Sequence, residues 1–377
     1  MKKLKENKIL LLTIVGFIII SFVNTILIAK RPDIVYIKEN YGTVFLITFD
    51  IFSIVASIFI QIFLHELGHS LAAIFLGYDF TFFRLGSFAL VKKNGKLKIA
   101  KFEIPGTGGQ ALFAPKGKAY ENFPYKIYMY AGIISNLFFS ILAFIIMYFN
   151  RNYFLDQFSY FFASVGIYIF LTNGLKIDAE ISNDAMQVKL LDKYEEYRIF
   201  TKYNLKIARL LVDGKEIKDM DQDEVDFILS CDNQFAEMGI LKGDYYSQNL
   251  DLDKAKEEYE KALDKEVLSG KLQKQALINE IIYLSLIKKD QANYEKYFTK
   301  EFEFFLDNFL LKLVNGYYTK YAKLLLIDKD QKAAEKLKTQ YIRFRKNYIF
   351  ESEIRLADKK IQIVDQLAKE VIQWKIQ

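Results

Sequence analysis

The chain has 377 residues, room for two domains, and a net charge of +6 from 52 Lys and Arg against 46 Asp and Glu. Its basic residues are dispersed rather than clustered, which speaks against a nucleic-acid partner and fits an anionic membrane face. A single cysteine, Cys231, excludes an internal disulfide framework and a cysteine-based metal cluster, while 52% hydrophobic beside 26% charged residues fits a membrane half joined to a charged half.

Ile9–Ala29 carries no charged residue and is long enough to span a bilayer. Lysines precede it and no small-residue cleavage site follows, so it reads as an uncleaved anchor. A second apolar run covers Thr43–Gly77, broken only by Asp50 and by His65-Glu66-Leu67-Gly68-His69. As one helix it would measure about 50 Å against a hydrocarbon core of about 30 Å, so it must tilt, break or protrude. Asp50 has no assigned partner, and a water-filled vestibule or a polar neighbour would each suit it.

Thr81–Phe113 alternates apolar and polar residues around Asn94-Gly95, which predicts a β-hairpin, and Pro105–Gly109 follows as a glycine-rich loop. Two further spans, Ile127–Phe149 and Phe154–Leu175, are joined by the short link Asn150–Tyr153, which makes them an antiparallel hairpin. Four lysines precede the first span and eight Lys or Arg fill Gly77–Pro124, against three in Lys30–Gly42 and Arg151 alone in the last link. The positive-inside rule then places the N-terminus, the hairpin and the C-terminal half in the cytoplasm.

Beyond Leu191 the chain is charged, helical in period and free of proline. Gly243, Tyr246, Ala255, Tyr259 and Ala262 occupy the small and aromatic positions of a tetratricopeptide repeat, with fainter echoes around Tyr283 and Ala292 and around Leu324, Ala333 and Leu337. Asp213-Gly214 predicts the turn of a small hairpin across Lys206–Lys218.

His65 and His69 are the chain's two histidines, and a spacing of four turns both imidazoles to one helix face. That arrangement suits zinc, which acidifies a bound water to a pKa of about 7, with Glu66 as general base. A lone histidine on an apolar helix is usually a packing residue. Within a membrane span, however, ionisable groups are expensive and mark function. Gly68 would keep the helix surface low for an approaching substrate backbone. Gly132 and Asn136 share a face of the third span, where close helix packing and a functional role are both open.

HELGH at 65–69, Gly132-x-x-x-Asn136 in the next span and Asn173…Asp184 after the last resemble, in that order, the site-2 protease family of intramembrane zinc metalloproteases. The resemblance covers about Thr43–Leu191 and implies one zinc ion per chain. It makes Asp184 the third ligand beside His65 and His69, puts Asn136 near substrate or oxyanion, and leaves Gly132 and Asn173 as structural neighbours. The family's segment before the aspartate carries a proline and a following glycine. Gly174–Asn183 has no proline and Ala185 replaces the glycine, so Asp178 stands as the alternative ligand, and Asp184 as a mere helix cap is the competing reading.

The expected architecture is a multi-pass α-helical membrane protein. Four transmembrane helices carry a β-hairpin insertion and are followed by an α-helical tetratricopeptide-like solenoid. Residues 1–42 are the anchor and external loop, 43–191 the membrane metalloprotease core, and 192–377 a cytoplasmic helical-repeat domain. The expected function is hydrolysis of a peptide bond in a membrane-embedded or membrane-associated substrate by a multi-pass protein of a bacterial cell membrane. The repeat domain would recruit a cytoplasmic protein partner, and no nucleic acid is expected. A maturation protease for a small secreted peptide and a catalytically silent scaffold are the alternatives, and the intact Glu66 argues against the second.

Overall fold

The computed structural model describes residues 15–16, 19–20, 22–104, 107–150, 152–175, 182–231, 234–267 and 270–373. They divide into two compact units. The first comprises Met1–Ala72, Tyr125–Ala179 and Asn183–Val188, and the second Ala73–Pro124, Glu180–Ser182 and Lys189–Gln377.

Among the described residues, three helices are long and apolar enough to cross a membrane: α1 Ile34–Phe75, α2 Tyr125–Phe149 and α3 Tyr153–Gly174. Gly42 leaves helical geometry (φ 73°, ψ 151°), so the kink falls just before the over-long run, which itself continues unbroken to Phe75. Large side chains face outward, Phe52 at 62% exposure and Phe149 at 78%, which lipid accepts and water does not. The inward faces are small and polar: Ser53, Ser57, Gln61, Asn136 and Ser140 are all fully buried, as expected where membrane helices pack closely. Asn152 caps α3 by accepting from the Leu155 amide, so the short link between α2 and α3 is as read from the sequence. Of the expected first span, 15–16, 19–20 and 22–29 are described and helical, and the rest lies outside the described residues. After α3 comes α4, Asp184–Lys193.

In the second unit, the segment expected to be one hairpin is a four-stranded antiparallel sheet. Its strands are β1 Asp79–Leu85, β2 Phe88–Lys93, β3 Lys96–Lys101 and β4 Gly109–Ala114, in the order β3-β2-β1-β4. Asn94 and Gly95 close the β2–β3 turn at φ 48° and 75°, the positive values a two-residue hairpin loop demands. Gly109, read as loop, pairs with Leu85 and opens β4, while Pro105 and Gly106 lie outside the described residues. Strand alternation gathers Phe82, Ala89 and Val91 against Phe102, Val212 and Ile349.

The hairpin expected across Lys206–Lys218 is absent. Helix α5, Glu195–Val212, runs through its first half and Asp213 is the C-cap. Tyr197, Phe200, Tyr203, Ile207 and Leu211 recur at helical spacing and are all buried; that continuous face outweighs a local turn signal.

Helix α6, Gln222–Ser230, leads into helical pairs: α7 Ala236–Gln248 with α8 Leu252–Leu263, then α9 Lys271–Ile287 with α10 Gln291–Tyr297. After α11 Lys300–Asn308 comes the pair α12 Val314–Ala322 and α13 Gln331–Phe344, and α14 Glu351–Gln373 follows. The three turns between partners are built alike. Leu250, Lys289 and Lys329 take φ of 60°, 58° and 57°. Each is followed by an aspartate (Asp251, Asp290, Asp330) whose side chain caps the next helix. The turns recur about 40 residues apart, longer than the 34 of a tetratricopeptide repeat.

Candidate metal centre

His65, Glu66 and His69 sit toward the C-terminal end of α1 and are buried, between 7% and 8% exposed. The four-residue spacing brings the two Nε2 atoms to 3.1 Å. Asp184, the first residue of α4, places Oδ2 3.0 Å from His65 Nε2 and 3.5 Å from His69 Nε2. One ligand atom from each of the three lies within 4.8 Å of the others, so the expected trio converges.

The far side of each imidazole fixes its tautomer. His65 Nδ1 lies 2.7 Å from Asn136 Oδ1, and His69 Nδ1 lies 2.7 Å from the backbone oxygen of Tyr128. Carbonyl oxygens only accept, so each Nδ1 donates and each neutral ring turns an Nε2 lone pair to the centre. The Asn136 amide cannot flip without loss, because its Nδ2 donates to both the backbone oxygen and Oε1 of Gln61 at 2.9 Å. Two lone pairs therefore face Asp184 Oδ2, a buried atom that accepts no hydrogen bond. Such a group repels itself unless a cation lies among its members, and two imidazoles with one carboxylate are a donor set that suits zinc.

Asp184 is held by its neighbour. Asn183 Oδ1 accepts from the Met186 amide at 3.0 Å and caps α4, while its Nδ2 donates to the backbone oxygens of Thr172 and Leu175 at 2.6 Å. The cap role weighed for Asp184 thus falls to Asn183, and the carboxylate is left for the centre. Asn173 donates to Ile169 O within α3 at 3.1 Å, so the tie between span and aspartate segment is Asn183's. An asparagine just before a helix start was the signal for it. Asp178 lies outside the described residues.

Two glycines let the helices close around the site. A Cβ on Gly132 would lie 2.9 Å from His65 Cε1 and would collide with the His69 ring. A Cβ on Gly68 would lie 2.5 Å from Ala131 O and 2.8 Å from Ser135 Cβ, so its task is contact with α2 rather than room for substrate. Ser135 Oγ seals that contact by donating to Leu64 O at 2.7 Å. Sequence reasoning passed over the Tyr128 carbonyl and Gln61, since backbone acceptors leave no residue signature. Asp50 keeps Oδ1 buried without a hydrogen-bond partner.

A family model described as peptidase family M50 matches residues 53–368, a stretch that takes in both histidines, Asn136, Asp184 and most of the C-terminal helices. Comparison with curated proteins and with solved structures returned no match. By that match the chain belongs to peptidase family M50, the site-2 protease family of intramembrane metalloproteases.

Proposed function

We propose that the chain is a zinc endopeptidase that cuts a membrane-embedded or membrane-associated protein, with His65, His69 and Asp184 as ligands and Glu66 as general base. The observation that carries this reading is the convergence of two Nε2 lone pairs on the orphaned Asp184 Oδ2, all three buried beside a glutamate. A zinc ion held there supplies Lewis-acid polarisation of a carbonyl and an acidified water. Glu66, one residue after the first ligand, takes the proton from the attacking water and returns it to the departing amine. Asn136 acts through His65, keeping Nδ1 protonated and Nε2 aimed at the centre. The apolar faces of α1, α2 and α3 keep bulk water away, and a helical substrate must unwind to expose its amide.

In this reading the chain is multi-pass, with the N-terminus and residues 192–377 in the cytoplasm, as the lysine distribution supports. Strand β3 is one edge of the sheet, and its Ile99 is 82% exposed. An unwound substrate strand would add there by backbone hydrogen bonds. Residues 192–377 serve as a helical-repeat recruitment domain, tetratricopeptide-like at Gly243–Ala262 but longer in period.

Metal analysis of the purified chain tests the ligand set. One zinc per chain is expected, with loss in Asp184→Ala and retention in Asp178→Ala. The reverse pattern transfers the third ligand to Asp178, and no zinc in the unaltered chain overturns the reading.

A further inference from the structure

A second polar centre lies within the C-terminal helices, remote in chemistry from the metal ligands. A cavity of about 390 Å³ opens there, in the range of small-ligand pockets. Its walls are mainly apolar, with Ile207, Leu211, Ile240, Leu277, Val314 and Phe350 among them. Its charged lining consists of three carboxylates, Asp244, Glu280 and Glu353, and one ammonium, Lys360.

Lys360 is already committed. Its Nζ donates to Glu280 Oε2 at 2.7 Å and lies over the rings of Tyr318 and Tyr283 at 4.4 and 5.1 Å. Glu280 accepts from the Tyr318 hydroxyl on its other oxygen. Asp244 and Glu353 each receive one hydroxyl donor, Tyr259 and Tyr348, both at 2.7 Å. Among the described residues no cation pairs with either. Ser247, 2% exposed, lines the same wall beside Tyr259. Burial, with Glu280 nearby, pushes Asp244 up to about 7; burial, with Asp244 and Glu280 nearby, does the same to Glu353. Two carboxylates held part-protonated inside an apolar cavity have no ion-pair partner, and Lys360, bonded to Glu280, offsets the burial of Asp244 only in part.

We propose that this cavity binds a short peptide segment, seating one Arg or Lys side chain between Asp244 and Glu353 and flanking apolar residues on the walls. A cation with an apolar stem matches both the charge deficit and the walls. The choice of a peptide over a free amine rests on the reading that the substrate is a membrane protein. Segments beside membrane spans on the cytoplasmic side combine Lys or Arg with apolar residues.

The test uses the full chain in nanodiscs and fluorescence anisotropy of a labelled, capped hexapeptide with a central arginine between leucine and phenylalanine. Peptides with citrulline or glutamate in its place are compared, and agmatine serves as competitor. The arginine peptide should bind at least tenfold tighter than the citrulline peptide, and more tightly at pH 8 than at pH 6. Asp244→Asn with Glu353→Gln should abolish the preference. Asn204→Arg, at an exposed lining position, should compete with the peptide without touching the core. Equal binding of the citrulline peptide overturns the proposal, as does unchanged binding in Asn204→Arg. Displacement by agmatine at the peptide's own affinity replaces the peptide with a small amine and also overturns it. Cleavage and zinc content of the unaltered chain are measured in parallel: cleavage without any binding of the arginine peptide refutes the cavity alone, and peptide binding without zinc or cleavage refutes the protease reading alone.

Discussion

His65 Nδ1 stands 2.7 Å from Asn136 Oδ1, and that amide is itself anchored by two bonds to Gln61. The chain from Gln61 to Asn136 to His65 leaves the imidazole one tautomer and one direction. Partners of this kind typically govern metal affinity by ten- to a hundredfold without contributing a ligand. Asn136→Ala should therefore lower zinc affinity by about that factor, measured by competition with a chelator. Asn136→Asp, which keeps the acceptor, should recover part of it. An unchanged affinity in the alanine variant would falsify the positioning role.

Glu66→Gln should leave zinc content and folding as they are and remove cleavage. The glutamate is not a ligand in this reading, and its amide cannot take a proton. The check is zinc content beside single-turnover cleavage of a membrane substrate. Substantial residual turnover would assign the base elsewhere.

Gly132→Ala tests the closeness of the second span to the imidazoles. The added methyl would meet His65 Cε1 at 2.9 Å and the His69 ring closer still, and both rings are fixed from behind by Asn136 and Tyr128. Overpacking of this kind costs about 1–3 kcal/mol. Here the strain is relieved by turning a ligand, so zinc occupancy should fall more than thermal stability. A variant that binds zinc normally would show that the rings yield.

How much of this was legible in the sequence follows from where the information sits. His65, His69 and Glu66 could be read because spacing along one helix fixes their geometry before any tertiary contact forms. Asp184 needed the family's order of motifs, since 115 residues separate it from His69 and no local periodicity links them. Asn183 was passed over because it acts by capping, and a single asparagine before a helix is common. The sheet was read as one hairpin because β1 and β4 pair across the intervening hairpin, and such register is set by packing rather than by a turn. Asp213-Gly214 misled for the opposite reason: a strong turn signal fell at the end of a helix whose apolar face continued up to it. The buried carboxylates of the C-terminal helices left no trace, because Asp244, Glu280 and Glu353 come from three helices with no shared spacing.

Those carboxylates also predict how stability varies with pH. Asp244 rises from 3.8 to about 7 on folding and Glu353 from 4.5 to about 7, burial being the main cause in both. Well below pH 3.8 each is protonated whether folded or not, and neither affects the balance. As pH climbs from about 4 to 7 the unfolded chain releases these protons while the folded chain keeps them, so the folded state loses stability over that window. Above pH 7 the folded groups ionise too and the loss stops growing. The melting temperature of the full chain should therefore fall between pH 5 and pH 8 by more than in Asp244→Asn with Glu353→Gln, whose neutral side chains keep a hydrogen-bonding oxygen. The comparison of the two chains at each pH cancels every other titrating group, including the histidines of the metal centre. Parallel profiles would mean that these carboxyls ionise at ordinary pH and that water reaches them freely.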